Sequence, residues 1–550
     1  MVSRTFVCWL ACALLSAAQG VCADDSSNAL SLTLRETHTQ CELLGLGAQN
    51  TVPYNFPGLS EDEMARHRAL NPGLVEPSLP AGDYAQSAAI VGGDMGAAFM
   101  HGDGKLYLMF GDAWFDGVGR TAPPANGGSA PNPMVGAPVN DDLLASVDLT
   151  SYPEPARDAC LPLEMAREAE SGRAWPTTWN GLANDGGHPL GATLVPGPGF
   201  STGKHMFIAM TVQTPTCGET GFDCAAANGL ASDQCLPSVD GLHRCYFGEC
   251  KPEPDSPCAL RLTASTLLVR RDGAEGTDFT EPRVGEHITS ATVLEAYRGH
   301  FATMAIHSEV DFDTGDGRVW VVGRDSFWGA PGLTMSPYLM YHPVHAGMLA
   351  EPRYFAGMQG NEPVFTEDAD AAKPLYDESQ VYSAHTSLVF EPAIAGGLWL
   401  MAYGGHAQPV LRDAIGVFVR PVVDEAFYDV TSGVQLRWAK QPWGPWSEPV
   451  TIFNPYEPSH GGYCEHMYFD DPEGKSGWQC AENQLAQNAT LDRATGYGMG
   501  GEYGAAIVPG FSEATDHALK LRWLVSTWNP YRVLMLESTL DFVPSPSATL

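Results

Sequence analysis

Short apolar runs of strand length, broken by Gly, Pro and Asp, recur along nearly the whole chain. GGDMGAAFM (92–100) and KLYLMFGDAWF (105–115) flank the turn His101-Gly102-Asp103-Gly104 in the first group, 86–115. HPLGATLVPG, KHMFIAMTVQT and STLLVRRDG form a second group within 188–273. HFATMAIHS, GRVWVVGRD and PYLMYHPV form a third within 300–345. AHTSLVFEP, GLWLMAYGG, AIGVFVRPV and VQLRWAK, closed by GPWSEPVTIF, form a fourth within 384–453. YGAAIVPG, LKLRWLVSTWNP and YRVLMLEST form a fifth within 503–539. Helical periodicity is confined to MARHRAL (64–70) and LEMAREAE (163–170), read as short surface helices.

Several groups end on a similar closure, DFTEP (278–282) or PWSEP (445–449). Weak self-similarity over about five units predicts an all-β chain folded as a five-bladed β-propeller. A pair of β-sandwiches is the competing architecture, and it leaves the repeated closure unexplained. The predicted propeller spans 81–545, after a Pro/Gly-rich lead-in at 24–80 tied down through Cys41.

Glycine (59), proline (42) and 10% aromatics fit an architecture of strands and turns. A net charge of −35 argues against nucleic acid and against an anionic membrane as partner, since both would repel the chain. The N-terminus, one Arg followed by an apolar run and small residues, reads as a secretory signal peptide over 1–23, cut after Gly20 or Ala23. The expected location is therefore extracellular or periplasmic, and the expected state a monomer. Ten cysteines follow the signal, an even count that reads as disulfides in an exported chain. Six crowd into 217–258, a disulfide-rich loop insertion with little core of its own, and Cys464–Cys480 is an expected pair elsewhere. A zinc site in the insertion is the weaker reading, because no CxxC pairs recur there.

Candidate chemistry starts in the first hairpin. A three-residue turn centred on Asp103 opposes residues whose numbers sum to 206, so Asp94 would face Asp112 on an otherwise uncharged face. A two-residue turn would make them diagonal neighbours. Two close carboxylates in a dry place cannot both ionise freely, and one pKa should rise. A raised acid beside an ionised one suits glycoside hydrolysis. A turn Asp94 and a strand-capping Asp112 are the plain readings of each alone, and facing carboxylates also suit Ca²⁺.

VGGDMGAAFMHGDGKLYLMFGDAWF (91–115) resembles the opening of glycoside hydrolase family 183, the endo-D-arabinanases, formerly a domain of unknown function. RWAKQPWGPWSEPVTIF (437–453) is similar to that family's blade closure, and LRWLVSTWNPYRVLMLESTL (521–540) to its ending. The resemblance implies a five-bladed propeller, an exported enzyme, an arabinan or arabinogalactan type of substrate, and Asp94 and Asp112 as the catalytic pair. Gly93, Met95 and Ala113 depart from the family's usual residues, and the cysteine-rich insertion is foreign to it.

Further candidates for substrate contact are Trp114, Trp328, Trp528 and Tyr531 as stacking platforms, with His307, Glu309 and His385 facing the channel. Arg324 is a candidate to bind a hydroxyl or pair with an acid, and Glu502 and Tyr503, between glycines, to reach the channel. The bland reading is core packing for each tryptophan and a satisfied structural histidine for each His. RRDGAEGTDF (270–279) looks vaguely like a sialidase Asp-box, with the wrong spacing. No cofactor is expected, Ca²⁺ in the channel apart. A non-catalytic carbohydrate-binding propeller is the alternative function.

Overall fold

The computed structural model describes residues 30–44, 53–55, 87–115, 141–150, 160–166, 178–180, 193–217, 235–237, 243–245, 258–272, 278–280, 299–301, 303–324, 336–378, 381–394, 396–406, 432–454, 501–528 and 532–544. Among them, the regular structure is strand apart from two single 3₁₀ turns. The signal peptide, Trp328, Tyr531, the AIGVFVRPV run and the Cys464–Cys480 pair lie outside the described residues.

Five sheets form five blades. The inner strands are Ser87–Met100, Thr193–Ser201, Thr303–Asp311, Val381–Glu391 and Gly501–Ile507. Each contacts the next, and the fifth contacts the first, so the inner strands close a ring. The apolar packing repeats this closure. Five separate core clusters sit between successive blades, each drawn from the facing sides of two sheets. Between blades three and four, Ala305, Trp320 and Leu339 meet Leu388, Trp399 and Met401. Strand alternation makes this possible, because successive side chains serve opposite neighbours.

The last blade is closed by the start of the chain. Leu30–Leu44 pairs antiparallel with Arg532–Pro544 as the outer strand of blade five. The lead-in expected at 24–80 thus contributes a strand to the propeller itself. Its pattern is hard to read as a strand in isolation, because its partner lies some 500 residues away. Cys41 on this strand is disulfide-bonded to Cys160, 119 residues away and just before the outer strand of blade one. The bridge staples the seam where the ring is joined. Replacing both by Ser should lower stability by roughly 2–5 kcal/mol, read as a drop in the thermal midpoint that reductant reproduces in the wild type. An unchanged midpoint would refute this role.

Two expectations change locally. Glu164–Met165, read as part of a helix, pairs instead with the third strand of blade one and buries Met165. Of the cysteine-rich insertion, the described segments Cys235–Pro237 and His243–Cys245 add strands to the sheet of blade two. Cys217 lies across from Cys258, and Cys235 across from Cys245, in antiparallel register. Directly opposed Cα atoms in such a ladder are about 4.5–5.5 Å apart, within the span of a disulfide. A non-reducing peptide map should therefore join Cys217 to Cys258 and Cys235 to Cys245. Other partners for these four would refute it.

Candidate active site

The first hairpin turns as its sequence predicts. His101 pairs with Lys105 around Gly102-Asp103-Gly104, Gly104 takes the left-handed conformation (φ 81°), and Asp103 Oδ1 accepts from the Lys105 N–H. The 206 register holds from Met100↔Leu106 to Ala97↔Met109. It then breaks at a bulge. Met95 (φ 71°) and Gly96 (φ 74°) are both left-handed, and Asp94 faces Gly111, one residue short of Asp112. The expected Asp94–Asp112 opposition is corrected accordingly. Sequence counting missed it because an inserted bulge residue leaves no trace in apolar spacing. The side chains of Asp112, Trp114 and Trp528 lie outside the described residues, although their strands are placed.

The bulge has a purpose visible in its contacts. Asp94 is 4% exposed, and its Oδ1 lies where a Cβ on Gly111 would sit 2.7 Å away. Glycine in FGD is therefore the room that Asp94 needs. From blade five, the Tyr503 hydroxyl donates to Asp94 Oδ2 at 3.0 Å. The Met95 N–H donates to Ser526 Oγ at 2.7 Å. Left-handed backbone at a bulky residue such as Met95 costs on the order of 1–3 kcal/mol, and such strain persists where surroundings over-determine it. Here the surroundings are two blade-to-blade hydrogen bonds, one at Asp94 and one at the N–H of Met95 itself.

Blades four and five are built the same way. Register shifts flank His385 between Ser383 and Thr386, and follow Tyr503 before Ala506. A Cβ on Gly504 (φ 68°) would lie 3.6 Å from the Met95 Cα. Three inner strands thus carry an irregularity where a candidate residue sits. In all three, these positions pair with the C-terminal part of the following strand, so Asp94, His385, Glu502 and Tyr503 share one end of the channel. The His385 ring lies 6.2 Å from that of Tyr503, in a stacked arrangement.

Glu502 is 5% exposed, and burial pushes its carboxyl up to about 7, only partly offset by its own backbone N–H. Burial holds His385 well below its ordinary value. Its ring is therefore neutral at neutral pH.

The remaining candidates stand apart from this end. His307 packs edge-on against Trp399 of blade four, and burial pushes it down to about 4. Glu309 is exposed and accepts from Trp320 Nε1 at 2.7 Å. Both point along the face of blade three that meets blade four, since alternation puts residues 305, 307 and 309 on one side. Arg324 is 1% exposed, with its guanidinium 4.8 Å over the Tyr403 ring and its Nε 3.4 Å from Thr386 Oγ1. It is packed beneath the channel end, next to a buried cluster that sequence reading did not find. There Arg437 pairs with Glu378 Oε2 at 2.9 Å and donates to Tyr403 Oη at 2.8 Å, and Tyr403 Oη donates to Glu378 at 2.9 Å. Arg437 also lies 4.4 Å over Tyr376.

Among the described residues, no group of three or more His, Cys, Asp and Glu is placed to hold a metal ion. No helix among them is long and apolar enough to cross a membrane.

No family model and no curated protein matches the chain. Among solved structures, it is similar to a protein assigned as a hydrolase from Bacteroides ovatus, at 11% identity and a TM-score of 0.35, over 84% of this chain and 93% of that one. It is also similar to a Trypanosoma rangeli sialidase in complex with the inhibitor DANA, at 9% identity and a TM-score of 0.30. That match covers 91% of this chain and 59% of the sialidase. At these scores the likenesses say nothing of chemistry, and the blade count rests on this chain's own strand pairing.

Proposed function

We propose that this chain is a glycoside hydrolase that cleaves arabinofuranosidic linkages in an arabinan or arabinogalactan type of polymer. The observation that carries the reading is Asp94: a buried carboxylate in a strained bulge, fixed across the blade-five seam by Tyr503 at one end of the propeller channel. A buried acid costs stability, and that cost is characteristic of a site kept for chemistry. Asp94 acts as nucleophile or base. The resemblance of 91–115 to the endo-D-arabinanases supplies the furanose substrate and adds Asp112 on the same strand end.

The test is product analysis. Purified protein is incubated with arabinan, arabinogalactan and a pyranose polysaccharide, and released sugars are sized by chromatography. A ladder of arabinose oligosaccharides supports an endo-acting hydrolase. Binding without release would leave a carbohydrate-binding propeller, and release from the pyranose polymer alone would overturn the substrate class.

A further inference from the structure

Tyr503, a candidate sugar contact in the sequence, has a different partner in the structure. Its hydroxyl donates to Asp94 Oδ2 at 3.0 Å across the seam between blades five and one. A phenol has one proton to donate. We infer that Tyr503 is a positioning residue of the proposed hydrolysis rather than a sugar contact: its hydroxyl orients the Asp94 carboxyl and favours the ionised form that a nucleophile or base requires. The inference rests on the glycosidase reading above and deepens it at the same site.

The placement is built from both strands. Gly501–Ile507 pairs regularly with Ala518–Trp528 as far as Tyr503↔Ser526, then skips to Ala506↔Leu524. Gly504 lies in the skip with left-handed backbone, and a Cβ there would press on Ser526 Oγ at 3.2 Å. Ser526 Oγ accepts from the Met95 N–H at 2.7 Å. Ser526 thus opposes Tyr503 in its own sheet and grips the residue that follows Asp94. The two hydrogen bonds tie one pair of neighbours to the other and set both bulges in register. Tyr503 is 9% exposed, and the His385 ring stacks on it at 6.2 Å. Its ring is therefore held from blade four while its hydroxyl reaches blade one.

A hydrogen bond donated to a carboxylate stabilises the charged form, whereas burial penalises it. Asp94 is 4% exposed, so the donor acts against a real desolvation cost. Other titratable or charged residues are placed at this end. Asp112 lies on the Asp94 hairpin, with Asp141 and Asp142 on the next strand. Glu502 precedes Tyr503, and Arg532 lies opposite Thr527 in blade five. His385 packs on Tyr503 from blade four. Thr193–Ser201, the inner strand of blade two, carries none.

The test is Tyr503→Phe, which keeps the ring against His385 and removes only the hydroxyl. On the arabinofuranose polymer it should lower kcat by about 10- to 100-fold and change KM by less than about 2-fold. The acid limb of its pH profile should move up by about one pH unit, with the alkaline limb in place. A hydroxyl that bound sugar equally in ground and transition states would instead raise KM and spare kcat. Thermal midpoints supply a readout that needs no turnover. The donor lowers the proton affinity of Asp94 in the folded state, so its contribution is present at neutral pH and lost as pH falls through the carboxylate range. The midpoint gap between wild type and Tyr503→Phe should therefore narrow from about pH 7 to about pH 4. Made in the Asp94→Asn background, the same substitution should give a gap that does not vary with pH. An acid limb that stays put, a raised KM with unchanged kcat, or a gap independent of pH in both backgrounds overturns the inference. A wild type that cleaves no furanose polymer sinks the glycosidase reading instead, and the midpoint comparison still decides whether Tyr503 holds the charge on Asp94.

Discussion

Asp94→Asn should lose on the order of 10³-fold or more of the polymer-cleaving activity while the protein stays folded. The two halves of this expectation have separate physical grounds. The amide cannot attack an anomeric carbon or accept a proton from water, so the chemical step is lost. It still carries an oxygen to accept the Tyr503 hydroxyl, now 3.0 Å from Asp94 Oδ2, so the blade seam keeps its bond. Replacing a carboxylate that is 4% exposed by a neutral group also removes a desolvation cost. The thermal midpoint should therefore stay level or rise. A loss of activity accompanied by a large drop in midpoint would make Asp94 a structural residue. Gly111→Ala provides an independent check, because its Cβ would press on Asp94 Oδ1 and on Pro196 at 3.1 Å without touching the carboxyl's chemistry.

The second large effect is structural. Glu378→Ala should cost on the order of 3–5 kcal/mol, the usual cost of leaving one member of a buried ion pair behind. Glu378 and Arg437 have side chains only 10% and 9% exposed. Without the carboxylate, Arg437 keeps Tyr403 and the Ser447 carbonyl as acceptors but has no counter-charge among these contacts. Arg324 covers the Tyr403 ring of this cluster, and through Thr386 it abuts the bulge that holds His385. The variant should thus loosen blade four's share of the channel end, with activity falling alongside stability. The sign with pH is also fixed. Burial alone would raise the Glu378 carboxyl, and Arg437, Tyr403 and Arg324 more than reverse it, so its folded pKa lies below the usual range. Its stabilisation is therefore present above pH 4.5 and is lost as pH falls through the folded value. Glu378→Gln should remove that acid-side loss, and chemical denaturation at pH 7 and at pH 4 measures it.

Much of this architecture was legible in period-2 runs and turn chemistry. The PWSEP closure leads into Val450–Phe453, the outer strand of blade four, and DFTEP begins with Asp278–Thr280, which in blade two lies between Cys258–Arg270 and Thr178–Asn180. The His101–Lys105 turn followed from two glycines flanking an aspartate. What spacing could not carry is anything set by long-range pairing. Leu30–Leu44 has a partner only when the far end of the chain arrives, and the Met95–Gly96 bulge is held by Ser526 from blade five. The same reason hid the cluster of Glu378 and Arg437, which no local pattern links. At the candidate site, Asp94, Glu502 and Tyr503 were readable as polar residues among glycines and apolar neighbours. The division of roles was not, because it depends on burial: Glu502 is raised by enclosure, whereas His307 and Glu309, equally conspicuous in sequence, turn towards Trp399 and Trp320. Asp112 was assigned by counting across a regular hairpin, and the hairpin is regular only as far as Ala97.

The central claim is that furanoside cleavage takes place at the channel end where Tyr503 of blade five holds Asp94 of blade one. A crystal structure of the Asp94→Asn variant with an arabinofuranose oligosaccharide tests it most directly. The account predicts a sugar ring at this end of the channel with its anomeric carbon facing residue 94. An oligosaccharide bound on an outer blade surface, with the channel end filled by water alone, would contradict it.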